Sequence, residues 1–203
     1  EPNHLIHAIF LQGAGNRAFC AGGDVVALYN DGQKDETRSE AFAFFAEEYT
    51  LNYKLATSAT PVVSYIDGIV MGGGVGLSVP GQYRIATDAT VFAMPETAIG
   101  FFPDVGGSFY LPRLAAGAGV GAWLGLSGAR LKGVDVYHAG VATHFLNHES
   151  ALETILNDVS QGNSADEGEL VVYQALLPGL GEAAPTWFSD HMEHIDDGFS
   201  ADS

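Results

Sequence analysis

An α/β fold is what this 203-residue sequence predicts, on three observations. Strand-like apolar segments alternate with helical ones as far as about residue 148 and then give way to helical segments only, the order of strands joined through crossover helices. Glycine numbers 26, about twice its usual share. The glycines bunch in the middle without a period, which suits tight turns and close backbone approaches to a ligand and not a collagen repeat. Length allows one domain, or one and part of a second, at about 150 residues each, and 47 % hydrophobic residues suffice for a core.

The elements follow in order. Residues 4–12, HLIHAIFLQ, read as a strand, and 13–24, GAGNRAFCAGGD, as a turn-rich loop. Asp24 is placed to cap a short helix, VVALYN, by accepting from the free N–H groups of its first turn. Over 37–57, Phe42, Phe45, Tyr49, Tyr53 and Ala56 recur at three- and four-residue steps, which predicts an amphipathic helix. TSATP ends it, VVSYI is a strand, and Asp67-Gly68 turns the chain. The small-residue stretch MGGGVGLSV follows, then RIAT and VFAMPE as strands. GFFPDVGGSFYLPRL is a loop running into a helix. LSGARLKGVDVYHAGVATHFL reads as turn, short helix and strand. ALETILNDV, ELVVYQALL and WFSDHMEHI are helical.

Composition excludes several classes. A single cysteine rules out a disulfide framework and any cysteine-based metal site. The formal net charge of −17 argues against a nucleic-acid binder and against an anionic membrane surface. The longest runs free of charged residues, 68–83 and 114–129, are too short and too glycine-rich to span a bilayer. Residue 1 is Glu and a strand begins almost at once, so the chain reads as a piece of a longer protein, without a signal peptide. An intracellular setting is expected.

Familiar chemistries do not fit. GxGxxA occurs at Gly13/Gly15/Ala18 and at Gly117/Gly119/Ala122. Gly22, Gly23 and Asp24 would interrupt the helix that the first needs, and the second does not follow a strand. Ser127 and Ser78 lack the final glycine of a nucleophile elbow. The seven histidines are scattered and read as surface or structural groups.

What does cohere is a set of three segments: AFCAGGD (18–24), IDGIVMGGGVGL (66–77) and MPETAIGFFPDVGG (94–107). Each is a glycine-rich turn at the end of a strand. Two such turns can aim backbone N–H groups at one oxygen before negative charge develops on it, the requirement of an oxyanion hole. The third adds Glu96 and Asp104, each beside apolar residues that can raise a carboxyl pKa and suit it to acid–base work. Read alone, the glycines could equally allow close helix–sheet packing. Asp104 could cap the helix that VGGSFYL begins, and Phe101 and Phe102 could line a pocket or fill core.

These segments resemble the crotonase (enoyl-CoA hydratase/isomerase) superfamily over roughly residues 4–148. Within it, MGGGVGLSV, FAMPETAIGFFPDVGGSFYLPRL and LSGARLKGVDVYHAGVATHFL resemble the 3-hydroxyisobutyryl-CoA hydrolase family, and HMEHIDDGFSA resembles a later helix of it. The resemblance implies a spiral of ββα units with a helical C-terminal part, incomplete at both ends. It divides the chain into a core with a CoA-ester site over 1–148 and a partial helical region over 149–203. It implies oxyanion N–H groups from Gly23 and Gly73, catalytic carboxylates at Glu96 and Asp104, and a substrate-binding glutamate at Glu48 in the Glu47-Glu48-Tyr49 run. Substrate contacts would come from Glu48, Gly73, Glu96 and Asp104. Hydratases carry a second glutamate where this chain has Gly76, so the resemblance points to thioester hydrolysis in valine breakdown ahead of hydration or isomerisation. A CoA-ester-binding fragment without turnover is the third reading. No metal and no cofactor is implied, since CoA belongs to the substrate. The implied partner is an acyl-CoA, with no nucleic acid or membrane, and a homo-oligomer is compatible with it. The implied compartment is bacterial cytoplasm or mitochondrial matrix. Arg17, just before the first loop, is a candidate to meet a CoA phosphate or else a solvated surface arginine. The acidic balance is read as solubility or a saline habitat.

Overall fold

The structure, a computed structural model, describes residues 6, 8–146, 152–153, 156–157 and 186–200. Two four-stranded sheets frame it. β1 (Ile9–Gln12), β3 (Val62–Tyr65), β5 (Tyr83–Thr87) and β8 (His144–Leu146) form one, in that spatial order and all parallel. β2 (Ala18–Cys20), β4 (Ile69–Met71), β6 (Val91–Ala93) and β7 (Leu131–Lys132) form the other, parallel except for β7.

Parallel strands must be joined by crossovers, and here the chain spirals to make them. Each of the first three strand pairs gives one strand to each sheet and then enters helix: α1 (Val25–Gly32) and α2 (Arg38–Ala56), then α3 (Gly73–Ser78), then α4 (Gly107–Tyr110) and α5 (Ala118–Ser127). This is the spiral of ββα units that the resemblance implies. α6 (Asp135–His138) precedes β8, and α7 (Trp187–Phe199) packs on α5. No helix among the described residues is long and apolar enough to cross a membrane.

Every residue of β3, Val-Val-Ser-Tyr, is buried, as expected of a parallel strand covered on both faces. Ile66, Val70, Phe92, Met94, Val120 and Leu124 anchor the main core between the second sheet and the helices. Burying such side chains contributes about 1.5–3 kcal/mol each, which fixes the strand ends from which the site loops emerge.

Many expected elements form where the residues place them, but β4, α3 and β7 form where no strand or helix was expected, and three further differences bear on packing. β2 lies inside the segment read as loop, because three residues between glycine turns suffice to pair with β4 in this spiral. α5 occupies a stretch for which no helix was expected. Its glycines allow contact that a side chain would bar. A Cβ at Gly119 would overlap the Asp196 carbonyl, and one at Gly121 that of Leu111, while Asp196 Oδ1 accepts from the Gly119 N–H at 2.6 Å. The Phe42-to-Ala56 stripe of α2 is not a core face. Asn52 alone of this helix is buried, and the aromatic residues face cavities and solvent. ELVVYQALL and the first residues of the expected 4–12 strand lie outside the described residues, as does most of 149–203.

Candidate active site

β2, β4 and β6 are neighbours in one sheet and run parallel. Their C-terminal ends therefore open side by side, the usual place for a ligand in such sheets. This register brings the three glycine-rich segments together although up to 89 residues of chain separate 18–24 from 94–107. α2 crosses above them. The resulting cavity, about 700 Å³, is lined by the 21–23 turn, Gly72, Gly73, Phe44, Phe45, Glu48, Glu96, Phe101 and Asp104.

The two turns approach closely. A Cβ on Gly73 would stand 3.6 Å from the Gly23 nitrogen, and one on Gly22 would stand 3.5 Å from the Gly73 nitrogen. Gly22 (φ +104°) and Gly72 (φ +51°) take backbone conformations that side chains disfavour. Gly73 opens α3, so its N–H has no intrahelical acceptor. Neither the Gly23 nor the Gly73 N–H donates in any described hydrogen bond. Gly74 answers to packing instead, since a Cβ there would overlap the Cys20 carbonyl.

Three carboxylates line the cavity. Glu48 reaches down from α2, its Oε1 2.5 Å from where a Gly73 Cβ would be. Burial raises its pKa, and the nearby Asp104 carboxylate raises it further. Glu96 is only 7 % exposed, and its buried Oε2 has no hydrogen-bond partner among the described residues. Burial lifts its pKa as well, opposed by a bond from its own backbone N–H and reinforced by Asp104. Asp104 does not cap α4, which begins at Gly107 after Gly106. Its Oδ2 accepts from the Tyr49 hydroxyl at 2.7 Å. Partial desolvation first, and then that hydrogen bond and the nearby Asp104 and Glu48 charges, push the Tyr49 hydroxyl pKa upward.

The position of Gly76 is filled from outside. A Cβ there would lie 2.6 Å from Val105 Cβ and 3.0 Å from Asn52 Nδ2, so a second glutamate has no room beside the first. Phe101 lines the cavity and packs 6.1 Å from Phe45 between ring centres. Phe102 turns away to a separate groove and is 61 % exposed, so neither phenylalanine fills core. Arg17 is exposed and is not among the cavity's lining residues.

All five residues singled out in the sequence, Gly23, Glu48, Gly73, Glu96 and Asp104, thus meet at one cavity. The reading of the residues missed Tyr49, counted there only as a helix-stripe position. Its place directly after Glu48 was the available signal. It also missed Asn52, for which the sequence carries no signal. Chemically, N–H donors beside Glu48 and Glu96, whose pKa values burial raises, can polarise a carbonyl and deliver a base, an acid or a nucleophile to it.

A family model described as Enoyl-CoA hydratase/isomerase matches residues 1–203. The chain is 47 % identical over 198 residues to the mitochondrial 3-hydroxyisobutyryl-CoA hydrolase of Rattus norvegicus, covering 96 % of this chain and 50 % of that protein. It is 50 % identical over 163 residues to the small ribosomal subunit protein mS47 of Neurospora crassa, covering 79 % of this chain and 32 % of that one. Among solved structures, a carnitinyl-CoA dehydratase from Mycobacterium thermoresistibile superposes with a TM-score of 0.79 at 38 % identity, covering 97 % of this chain and 54 % of that one. The chain thus spans about half the length of these hydrolase and dehydratase relatives.

Proposed function

The chain belongs to the enoyl-CoA hydratase/isomerase family, and from that premise we propose that the whole protein hydrolyses short 3-hydroxyacyl-CoA thioesters, 3-hydroxyisobutyryl-CoA first among them. The observation that carries this reading is the occupied space at Gly76. Val105 and Asn52 stand where a hydratase would need its second glutamate. The carboxylates that remain, Glu48, Glu96 and Asp104, surround a single cavity.

In this reading the thioester carbonyl oxygen sits between the Gly23 and Gly73 N–H groups. As the carbonyl carbon becomes tetrahedral, the charge on its oxygen meets donors already in place, so little reorganisation is needed. Two routes use Glu96. Its carboxylate either attacks the carbonyl carbon, expelling the CoA thiolate and forming a mixed anhydride that water opens, or it takes a proton from the water that attacks. Both convert thioester and water to free acid and thiol. The raised pKa of Glu96 favours proton acceptance over that of an ordinary carboxylate. Asp104, held by Tyr49, binds the 3-hydroxyl or orients the water and the leaving thiol, and Glu48 orients the polar end of the acyl group. The reaction so written needs no cofactor beyond the CoA that arrives with the substrate. It would serve valine breakdown, and the mitochondrial relatives support a matrix location.

The test is release of free thiol from 3-hydroxyisobutyryl-CoA by the full-length protein, with crotonyl-CoA hydration followed in parallel. Thiol release without hydration is expected. Hydration without thiol release would overturn the hydrolase reading and leave the family. A second reading, an assembly component without turnover, is supported by the ribosomal relative. It predicts neither reaction in the same assay.

A further inference from the structure

Two cavities stand back to back across Asp104 and Val105. Asp104 lies on the wall of the site cavity. The next residue, Val105, lines a second cavity of about 460 Å³ between the C-terminal half of α2 and the 105–110 segment. Tyr49 also lines the second cavity, and its hydroxyl reaches Asp104 at 2.7 Å, so the Tyr49 ring and the Asp104 side chain meet in the partition. Val105 completes it beside Gly76 and is 4 % exposed. Its φ of +42° is the one positive value among the described non-glycine residues. That backbone state is costly for a β-branched side chain, so the surroundings hold the side chain in the partition against its local preference. Behind it the lining is mainly apolar and aromatic: Tyr53, Ala56, Val79 and Phe109.

We propose that Tyr49, Asp104 and Val105 form the end wall of the acyl site and restrict it to short acyl groups. The second cavity is then the path that a longer chain takes once the wall is opened. This rests on the CoA-ester reading above and adds to it the residues that set chain length.

The experiment compares full-length wild type, Val105→Gly and Tyr49→Ala on 3-hydroxyacyl-CoA esters of four, six and eight carbons. Binding is measured with the matching non-hydrolysable thioethers, and turnover by thiol release. Glycine suits the backbone at 105, and Tyr49→Ala, on a partly exposed helix face, keeps the test available should Val105→Gly not fold. Each methylene buried is worth about fourfold in affinity. The wild type is expected to discriminate against the eight-carbon ester, and either opened variant to raise the eight- to four-carbon ratio at least about tenfold. Tyr49→Phe, which keeps the ring, leaves that ratio unchanged while slowing both esters. Adding Ala56→Phe on the far side of the second cavity cancels the gain of Val105→Gly. A wild type indifferent to chain length, or a ratio unmoved in both opened variants, overturns the proposal. Thioether binding without thiol release from any ester would overturn the hydrolase reading alone, and the binding ratio would still decide the wall.

Discussion

The Tyr49 hydroxyl donates to Asp104 Oδ2 at 2.7 Å, across 55 residues of sequence. The bond ties the helix above the cavity to the loop that carries one of its carboxylates. Without it, Asp104 would be free to turn into solvent, because no other described hydrogen bond reaches its side chain. Hydrogen bonds to charged groups are worth about 1.5–3 kcal/mol, and a loss felt only in the transition state appears in kcat. Tyr49→Phe is therefore expected to lower kcat for thioester hydrolysis about tenfold to a hundredfold with KM little changed. The melting temperature should barely move, since Tyr49 is partly exposed. Steady-state kinetics and a thermal melt decide it, and an unchanged kcat would mean that Asp104 is held by other groups.

Gly76→Glu should not produce a hydratase. Its Cβ would enter the space of Val105 Cβ, 2.6 Å away, with no flexible chain end to give way. Overpacking of this kind costs about 1–3 kcal/mol. The expected result is a lowered melting temperature, reduced thiol release and no hydration of crotonyl-CoA. A variant that folds normally and hydrates crotonyl-CoA would show that Val105 yields the space.

Much of this site was legible in the sequence because glycine and carboxylate residues recur at the ends of strands. Glu96 and Asp104 stand out beside apolar residues, the family resemblance picks Gly23 and Gly73 out of the glycine-rich turns, and the parallel order of β2, β4 and β6 brings all four together. Tyr49 and Val105 were not legible. A tyrosine at helical spacing reads as core, and only the fold shows that this helix turns its aromatic residues to cavities. A valine with positive φ has no sequence mark, since nothing in its residue type announces the conformation. The helix over Ala118–Ser127 was missed for a related reason. Its glycines argue against a helix by propensity, and tertiary contact with Asp196 and Leu111 overrides that preference.

Asp24 links local stability to the site. Its Oδ1 accepts from the Val26 and Ala27 N–H groups at 3.1 and 3.0 Å, and Val25, Leu28 and Tyr29 of the helix it caps line the cavity. Removing such a cap costs about 0.5–2 kcal/mol. Asp24→Ala should raise amide exchange across Val25–Gly32 and increase KM for the CoA ester, leaving kcat nearly intact. Asp24→Asn, which can still cap, should restore both. Unchanged exchange in the alanine variant would show that packing alone holds the helix.

Glu96 sets function against stability. Burial first, and Asp104 second, raise its pKa in the folded protein, against the lowering effect of its own backbone N–H. The folded state therefore holds the Glu96 proton more tightly than the unfolded chain does. Stability from this group is fully present below the unfolded glutamate pKa of about 4.3 and is lost as pH rises through the higher folded value. At neutral pH the ionised carboxylate is a cost, with Oε2 buried and unpartnered among the described residues. Glu96→Gln removes that charge at nearly the same volume. The variant should melt at a higher temperature than wild type at pH 7, and the gap should narrow as pH falls toward the ordinary glutamate range. It should still bind the CoA ester yet release no thiol. In the wild type, if ionised Glu96 is the working form, kcat should fall on the acid side with an apparent pKa above that of a free glutamate. Melting curves across pH test the linkage, and the rate profile tests the role. A Glu96→Gln variant less stable than wild type at pH 7 would mean that the carboxylate has partners which repay its burial. Full thiol release by that variant would remove Glu96 from the chemistry.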